Sequence, residues 1–300
     1  MHMRKATQLL TMKAKVQNSF NLKLLLLGFF LLFILLFILR SSLSPALRQQ
    51  DTSLQSSMPP EQTQAISLTA VSKPLCTKLP PSLANTIIHY TTSNITPQQT
   101  FKEISVTAQI LEKKSPCNFL VFGLGHDSPM WNALNHGGRT IFLEEDEAWI
   151  ETIRQKHPTL ESYHVTYNTK VHEAQDLLEL GRLPACTAVG DMRLSECQLA
   201  LKELPSVFYE VEWDLIMVDA PTGYIPEAPG RMGAIYTAGM AARGRREGET
   251  DVFVHDVDRL VEDKFSKAFL CEGYLRQQEG RLRHFTIPSH KTDIAKPFCP

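Results

Sequence analysis

Along the C-terminal three-quarters of the chain, short apolar runs alternate with segments whose apolar residues recur at helical spacing, the pattern of strands alternating with helices. Runs at 119–122, 140–143, 163–167, 213–219 and 251–255 have strand length. The fourth, Trp213-Asp-Leu-Ile-Met-Val-Asp219, is nearly continuous in apolar character, as expected of a strand buried on both faces. Helices are predicted at 83–90, 128–134, 147–156, 171–180, 197–204, 232–242 and 260–270. Thr96-Pro97 has the chemistry of an N-cap followed by Pro at N1, and Ile104, Ala108 and Leu111 share one face, which predicts a further helix ending at 111. Residues 274–278 and 283–287, divided by Glu279-Gly280, read as a closing antiparallel hairpin. The fold class is therefore α/β: a Rossmann-like, doubly wound sheet of five parallel strands plus a C-terminal hairpin, with ligands at the carboxyl ends of the strands.

The N-terminus breaks this pattern. Residues 24–39 are uncharged and almost wholly Leu, Phe and Ile, too apolar all round for a soluble helix, which predicts a single transmembrane helix. Its shortness suits the thinner bilayers of the early secretory pathway. Arg4, Lys5, Lys13, Lys15 and Lys23 precede it without an acid, so residues 1–23 are expected to stay cytosolic. No small-x-small cleavage site stands out at 41–45, which favours an uncleaved anchor over a signal peptide. A Ser-, Gln-, Thr- and Pro-rich stem at 40–73 then leads to a luminal domain at 74–300.

The chain has 31 basic and 32 acidic residues; without the five basic residues before the anchor, 26 face 32, a net charge of −6. That balance excludes a nucleic-acid partner. Six cysteines, all beyond the anchor, predict one to three disulfides in an oxidising lumen, and Asn94-Ile-Thr96 is a glycosylation sequon in keeping with it.

Candidate chemistry sits at the strand ends. The first run stops at Gly123-Leu-Gly125, Ser128 takes the third position of a nucleotide-binding fingerprint, and the second run ends in Glu144, Glu145 and Asp146. Five parallel strands closed by a hairpin are the pattern of an S-adenosylmethionine-dependent methyltransferase, with Gly123 and Gly125 passing backbone under the cofactor and Glu144 or Glu145 accepting ribose hydroxyls. The competing explanation is a tight turn followed by an acidic helix cap. Asp219, His255 and Asp256 end neighbouring strands, so they are expected to converge; His255 is the natural general base, with His126 in reserve. Asp219 and Asp256 are also candidate ligands for a divalent metal cation. Arg231 and Arg243 are candidates for gripping an acidic substrate, and Tyr224 and Trp131 for stacking on a sugar ring.

The motifs Cys117-Asn-Phe-Leu-Val-Phe-Gly-Leu-Gly-His126, Phe142-Leu-Glu-Glu-Asp146, Trp213 to Tyr224, Glu227-Ala-Pro-Gly-Arg-Met232 and Val252-Phe-Val-His-Asp256 resemble the plant polysaccharide-biosynthesis family of glucuronoxylan 4-O-methyltransferases and irregular-xylem-15 proteins. Asp219-Ala-Pro-Thr-Gly223 and Lys296-Pro-Phe-Cys-Pro300 resemble the methyltransferase branch. The resemblance implies a type II Golgi membrane enzyme that moves a methyl group from S-adenosylmethionine to the 4-hydroxyl of glucuronic acid on xylan, in association with other xylan-synthesis enzymes. Two alternatives stand beside it. One is a non-catalytic scaffold of the same fold; the other is a Golgi glycosyltransferase using a nucleotide sugar, for which Asp256-Val-Asp258 has the spacing of a metal-binding Asp-x-Asp.

Overall fold

The structure is a computed structural model and describes residues 79–293 and 296–300. The expected cytosolic tail, anchor and stem, together with Cys76, lie outside the described residues. Among the described residues no helix is long and apolar enough to cross a membrane.

Seven strands form one sheet: β1 (Asn118–Phe122), β2 (Arg139–Glu144), β3 (Glu161–His164), β4 (Leu215–Val218), β5 (Glu249–Val254), β6 (Leu275–Glu279) and β7 (Leu282–Pro288). Their order is β3-β2-β1-β4-β5-β7-β6, the first five parallel and β7 antiparallel to both β5 and β6. The order reverses direction between β1 and β4, which opens a crevice at their carboxyl ends. The helices are α1 (Pro81–Thr92), α2 (Phe101–Lys114), α3 (Ser128–Leu134), α4 (Glu147–Lys156), α5 (Ala174–Leu180), α6 (Pro184–Thr187), α7 (Ser206–Glu210), α8 (Met232–Gly244) and α9 (Leu260–Phe265), the last continued by a π-helical turn at Ser266–Cys271.

Both faces of β1, β2, β4, β5 and β7 are largely buried, whereas the edge strands β3 and β6 are partly exposed, and strand alternation sorts the side chains between the two faces. Leu120, Phe122, Ile141, Leu143, Ile216, Val218, Val252 and Val254 point into one core, against α8 and the α9 region. Phe119, Val121, Phe142, Leu215, Met217 and Phe253 point into the other, with Leu111 of α2, Trp131 of α3 and Ile150 of α4. Helix α8 is buried along nearly its whole length, which its Gly and Ala content allows by close approach to the sheet.

Three expectations change. Thr96-Pro97 does not cap a helix. The cap is Thr100, in a reciprocal box with Glu103: Thr100 Oγ1 accepts from Glu103 N at 3.3 Å, and Glu103 Oε2 accepts from Thr100 N at 2.6 Å. Residues 197–204 are turned rather than helical, because Cys197 is bridged to Cys186 and Leu201 N donates to Thr237 Oγ1 of α8. The third strand ends at His164, and Val165 and Tyr167 drop from its end into the core. A second disulfide joins Cys271 to Cys299, while Cys117 is a buried free thiol.

Candidate active site

Strand β1 runs into Gly123, whose φ of +124° only glycine adopts without strain. Gly123 N donates to Leu143 O of β2, and a Cβ on Gly123 would lie 3.3 Å from that of Ala220. Leu124 N then donates to Glu144 Oε2 at 3.0 Å, and Glu144 Oε1 accepts from Glu145 N and Asp146 N at 2.9 and 3.1 Å. Glu144 therefore ties the glycine turn to the start of α4. Burial is the main cause of its carboxyl standing above its ordinary range. Glu145 Oε1 accepts from Thr222 N and Oγ1 in the loop after β4, and Asp146 caps α4. Both readings of this acidic run thus hold in part: Asp146 is the helix cap, whereas Glu144 and Glu145 line a cavity.

That cavity, about 470 Å³, lies over the carboxyl ends of β1, β2 and β4. Gly123, Gly125, Asp127, Glu144, Glu145 and Asp219 contribute to its walls. Asp127 is a cavity residue that the sequence alone did not mark. Its Oδ2 accepts from Trp131 Nε1 at 2.8 Å, and burial followed by the charge of Asp219 raises its carboxyl above the usual range. Trp131 itself is only 1% exposed and belongs to the core beside Phe119, so it offers the cavity little stacking surface.

Asp219, at the end of β4, also faces the cavity. Its Oδ1 lies 3.0 Å from His255 Nδ1 and 3.3 Å from Arg231 Nη1, and its Oδ2 accepts from Gln99 Nε2 at 3.2 Å. Burial acts to raise this carboxyl, but the His255 hydrogen bond and the Arg231 charge outweigh it and hold Asp219 below the usual range. His255 and Asp256 do converge with Asp219, as expected, with one potential ligand atom from each lying within 4.8 Å of the others. Neither reaches the cavity wall. His255 is completely buried behind Asp219, with Nε2 lacking a hydrogen-bond partner 3.9 Å from Glu103 Oε1. Shielded by Asp219, His255 is therefore not placed to touch a substrate in the cavity as a base. Asp256, in the left-handed region at φ 60°, turns away to pair with Arg231, Arg259 and Arg281 at 3.0, 2.8 and 2.7 Å. Asp258 is exposed and takes no part, so Asp256-Val-Asp258 does not form a joint metal-binding pair.

The substrate candidates separate. Tyr224 is 68% exposed on the cavity rim. Arg231 lines the cavity but is 4% exposed, its guanidinium taken by Asp219, Asp256 and the carbonyls of Pro221 and His255. Arg243 is a correction: it is fully buried in α8, away from the cavity. Its guanidinium donates to the carbonyls of Gly239, Phe269 and Phe298 and stacks on the Phe298 ring at 3.9 Å. Gln99, Glu103, Arg259 and Arg281 were missed. The α2 capping box at Thr100 and Glu103 was the one signal that could have placed two of them, since it fixes where the chain enters the site.

A sequence profile of the family described as IRX15/IRX15L/GXM matches residues 102–285. Glucuronoxylan 4-O-methyltransferase 1 of Arabidopsis thaliana is 60% identical over 294 residues, covering 96% of this chain and 100% of that protein. Glucuronoxylan 4-O-methyltransferase 3 of the same plant is 57% identical over 290 residues, covering 96% and 98%. Arabinogalactan O-methyltransferase 2, also from Arabidopsis thaliana, is 51% identical over 227 residues, covering 73% and 78%.

Proposed function

The chain belongs to the IRX15/IRX15L/GXM family, and on that premise we propose that it is an S-adenosylmethionine-dependent O-methyltransferase acting on the 4-hydroxyl of glucuronic acid side chains of xylan. The observation that carries the reading is the cavity at the strand ends, where a glycine turn and two acids face Asp127 and Asp219. Its volume of about 470 Å³ lies within the ordinary range for small-molecule sites.

The residues present fit the methyl donor. Gly125 is exposed in the cavity wall, and a Cβ there would come within 2.6 Å of Asp127 Oδ1, so a larger residue would displace the Asp127 carboxylate. Glu144 has three hydrogen bonds from backbone, close to the roughly four a carboxylate accepts, which leaves Glu145 Oε2 as the better partner for a ribose hydroxyl. When bound, S-adenosylmethionine supplies a methyl carbon made electrophilic by its sulfonium. The chain must then align the acceptor hydroxyl and receive its proton. Asp127 receives the proton in this reading, because its raised carboxyl is the better base of the two facing acids. Asp219 stays ionised and accepts a hydrogen bond from the acceptor, while His255, Arg231 and Gln99 hold it in place.

Asp219, His255 and Asp256 also have the donors for a divalent cation, in competition with the guanidinium groups now paired to them. Exhaustive chelation separates the two: activity that survives leaves the step to the carboxylates, and activity lost to the chelator and restored by a divalent ion assigns Asp219 and Asp256 to a metal.

The reading places the protein as a single-pass type II Golgi membrane enzyme with its catalytic domain in the lumen, alongside other xylan-synthesis enzymes. It is supported by the apolar run at 24–39, by the Cys186–Cys197 and Cys271–Cys299 disulfides, and by the exposure of Asn94. A glycosidase-sensitive Asn94 shielded from external protease in sealed microsomes is the expected result; accessible, unglycosylated protein would remove the topology. For the activity, the full-length chain is incubated with labelled S-adenosylmethionine and unmethylated glucuronoxylan. Linkage analysis should find 4-O-methylglucuronic acid. No transfer, together with binding of a nucleotide sugar, would overturn the assignment.

A further inference from the structure

A second cavity of about 420 Å³ adjoins the first, and Tyr224 and Arg259 belong to the walls of both. Val171, Val261 and Phe265 make part of its lining apolar. At its edge stand Tyr224 and Leu260, each 68% exposed, which gives the cavity an apolar rim. One wall is Glu262. This residue is completely buried, and neither carboxylate oxygen has a hydrogen-bond partner. Its closest cations stay beyond hydrogen-bond distance, Arg231 Nε at 3.7 Å and Arg259 Nη1 at 3.9 Å. A buried carboxylate in that state lacks the donors that such groups almost always find.

We propose that this second cavity is an acceptor subsite for a neutral xylosyl unit of the polysaccharide backbone, next to the uronosyl residue that enters the first cavity. The proposal rests on the methyltransferase reading for the direction of the chain, but its own evidence is the wall chemistry. A pyranose ring presents both things this wall asks for: an apolar C–H face for Tyr224 and Leu260, and hydroxyl donors for the Glu262 oxygens. A lipid chain would leave Glu262 without donors. Of the other charged or titratable groups lining the cavity, Arg259 is paired with Asp256, Lys264 donates to Gln175 Oε1 and His172 Nδ1 meets Pro226 O, so the group without a hydrogen-bond partner is Glu262, which a neutral hydroxyl suits and a second uronate does not. Because Tyr224 and Arg259 belong to both cavities, a glycan can occupy the two together without leaving the protein surface.

The test uses the full-length chain and two variants, Glu262→Gln and the exposed Leu260→Ala, the second of which does not disturb the buried ion pairs. Binding of a neutral xylo-oligosaccharide is measured by calorimetry without methyl donor, and methyl transfer is measured to a minimal methyl glucuronoside acceptor that lacks xylose and to one extended by xylosyl residues. Glu262→Gln should weaken xylo-oligosaccharide binding and raise KM for the extended acceptor about ten-fold, the scale of one hydrogen bond to a charged group, and Leu260→Ala should do so roughly three-fold through lost apolar contact, with KM for the minimal acceptor unchanged in both. The same affinity in wild type and both variants, or an equal rise in KM for both acceptors, overturns the subsite. Wild-type protein that binds the xylo-oligosaccharide through these residues yet transfers no methyl group would refute the proposed activity and leave the subsite standing.

Discussion

Arg243→Met removes a guanidinium that the sequence marked for substrate binding and the fold uses internally. In α8, Arg243 is fully buried; its Nη1 donates to Phe269 O at 2.8 Å and its Nη2 to Phe298 O at 3.0 Å, tying the π-helical turn and the C-terminal segment to the helix. Methionine keeps much of the apolar stem but offers no donor. The buried Phe269 carbonyl and the half-buried Phe298 carbonyl, left without this partner, cost up to about 1–3 kcal/mol each. Against that, burial already lowers the Arg243 pKa to about 10, so part of the loss returns when the desolvated charge is deleted. The expected net loss is about 2–4 kcal/mol, which for a domain of this size lowers Tm by roughly 5–15 °C. Thermal unfolding of the full-length chain measures the shift. Methyl transfer assayed well below the transition should show KM for the glucuronoxylan acceptor within two-fold of wild type, on the order of the scatter among surface substitutions. An unchanged Tm with a large rise in acceptor KM would refute the reasoning and return Arg243 to the substrate.

Three further outcomes follow from the geometry. Asp127→Asn keeps the shape of the cavity wall but removes the proton acceptor, so kcat should fall by about 10²–10⁴ while the affinity for S-adenosylhomocysteine, read by calorimetry, holds; full kcat would exclude Asp127 as the base. Gly125→Arg, which forces a side chain toward Asp127, should abolish cofactor binding with little change in far-ultraviolet circular dichroism, and retained binding would mean the turn is not the donor site. His290 is held down to about pKa 4, first by burial and then by the Arg243 charge. A histidine depressed in the folded state stabilises above its unfolded value near 6.5, and that contribution is lost as pH falls from there toward 4. Tm should decline across that window, and His290→Gln should flatten the decline; an unaltered slope would place the titration elsewhere.

How far the site could be read in advance depended on what each residue's position is fixed by. Gly123 and Gly125 could be found because a strand that must turn sharply at its end announces itself by glycine, and Asp219 because an apolar strand leaves its first polar residue at the crevice. His255 and Asp256 were correctly placed at the next strand end, but two residues at the same end can face opposite ways. His255 lies buried behind Asp219, and Asp256, at a positive φ, pairs with three arginines. Gln99 and Glu103 come from a helix entry more than a hundred residues upstream of Asp219, so no local pattern ties them to it. Arg231 and Arg243 looked alike as cations near a loop; only their surroundings separate a guanidinium neutralised in the cavity wall from one buried in the core.

By itself, then, the order of residues determined the sheet and the burial of both faces of its central strands, because near-continuous apolar runs leave those strands no solvent-facing side. It also determined the glycine turn, since that backbone conformation excludes other residues. The tertiary structure decided which polar groups meet the cavity and which neutralise one another behind it. That choice depends on side-chain direction and on charges contributed by elements distant in sequence. It left Asp127 and Asp219 on the wall, His255 behind them, and the Glu262 oxygens without a donor.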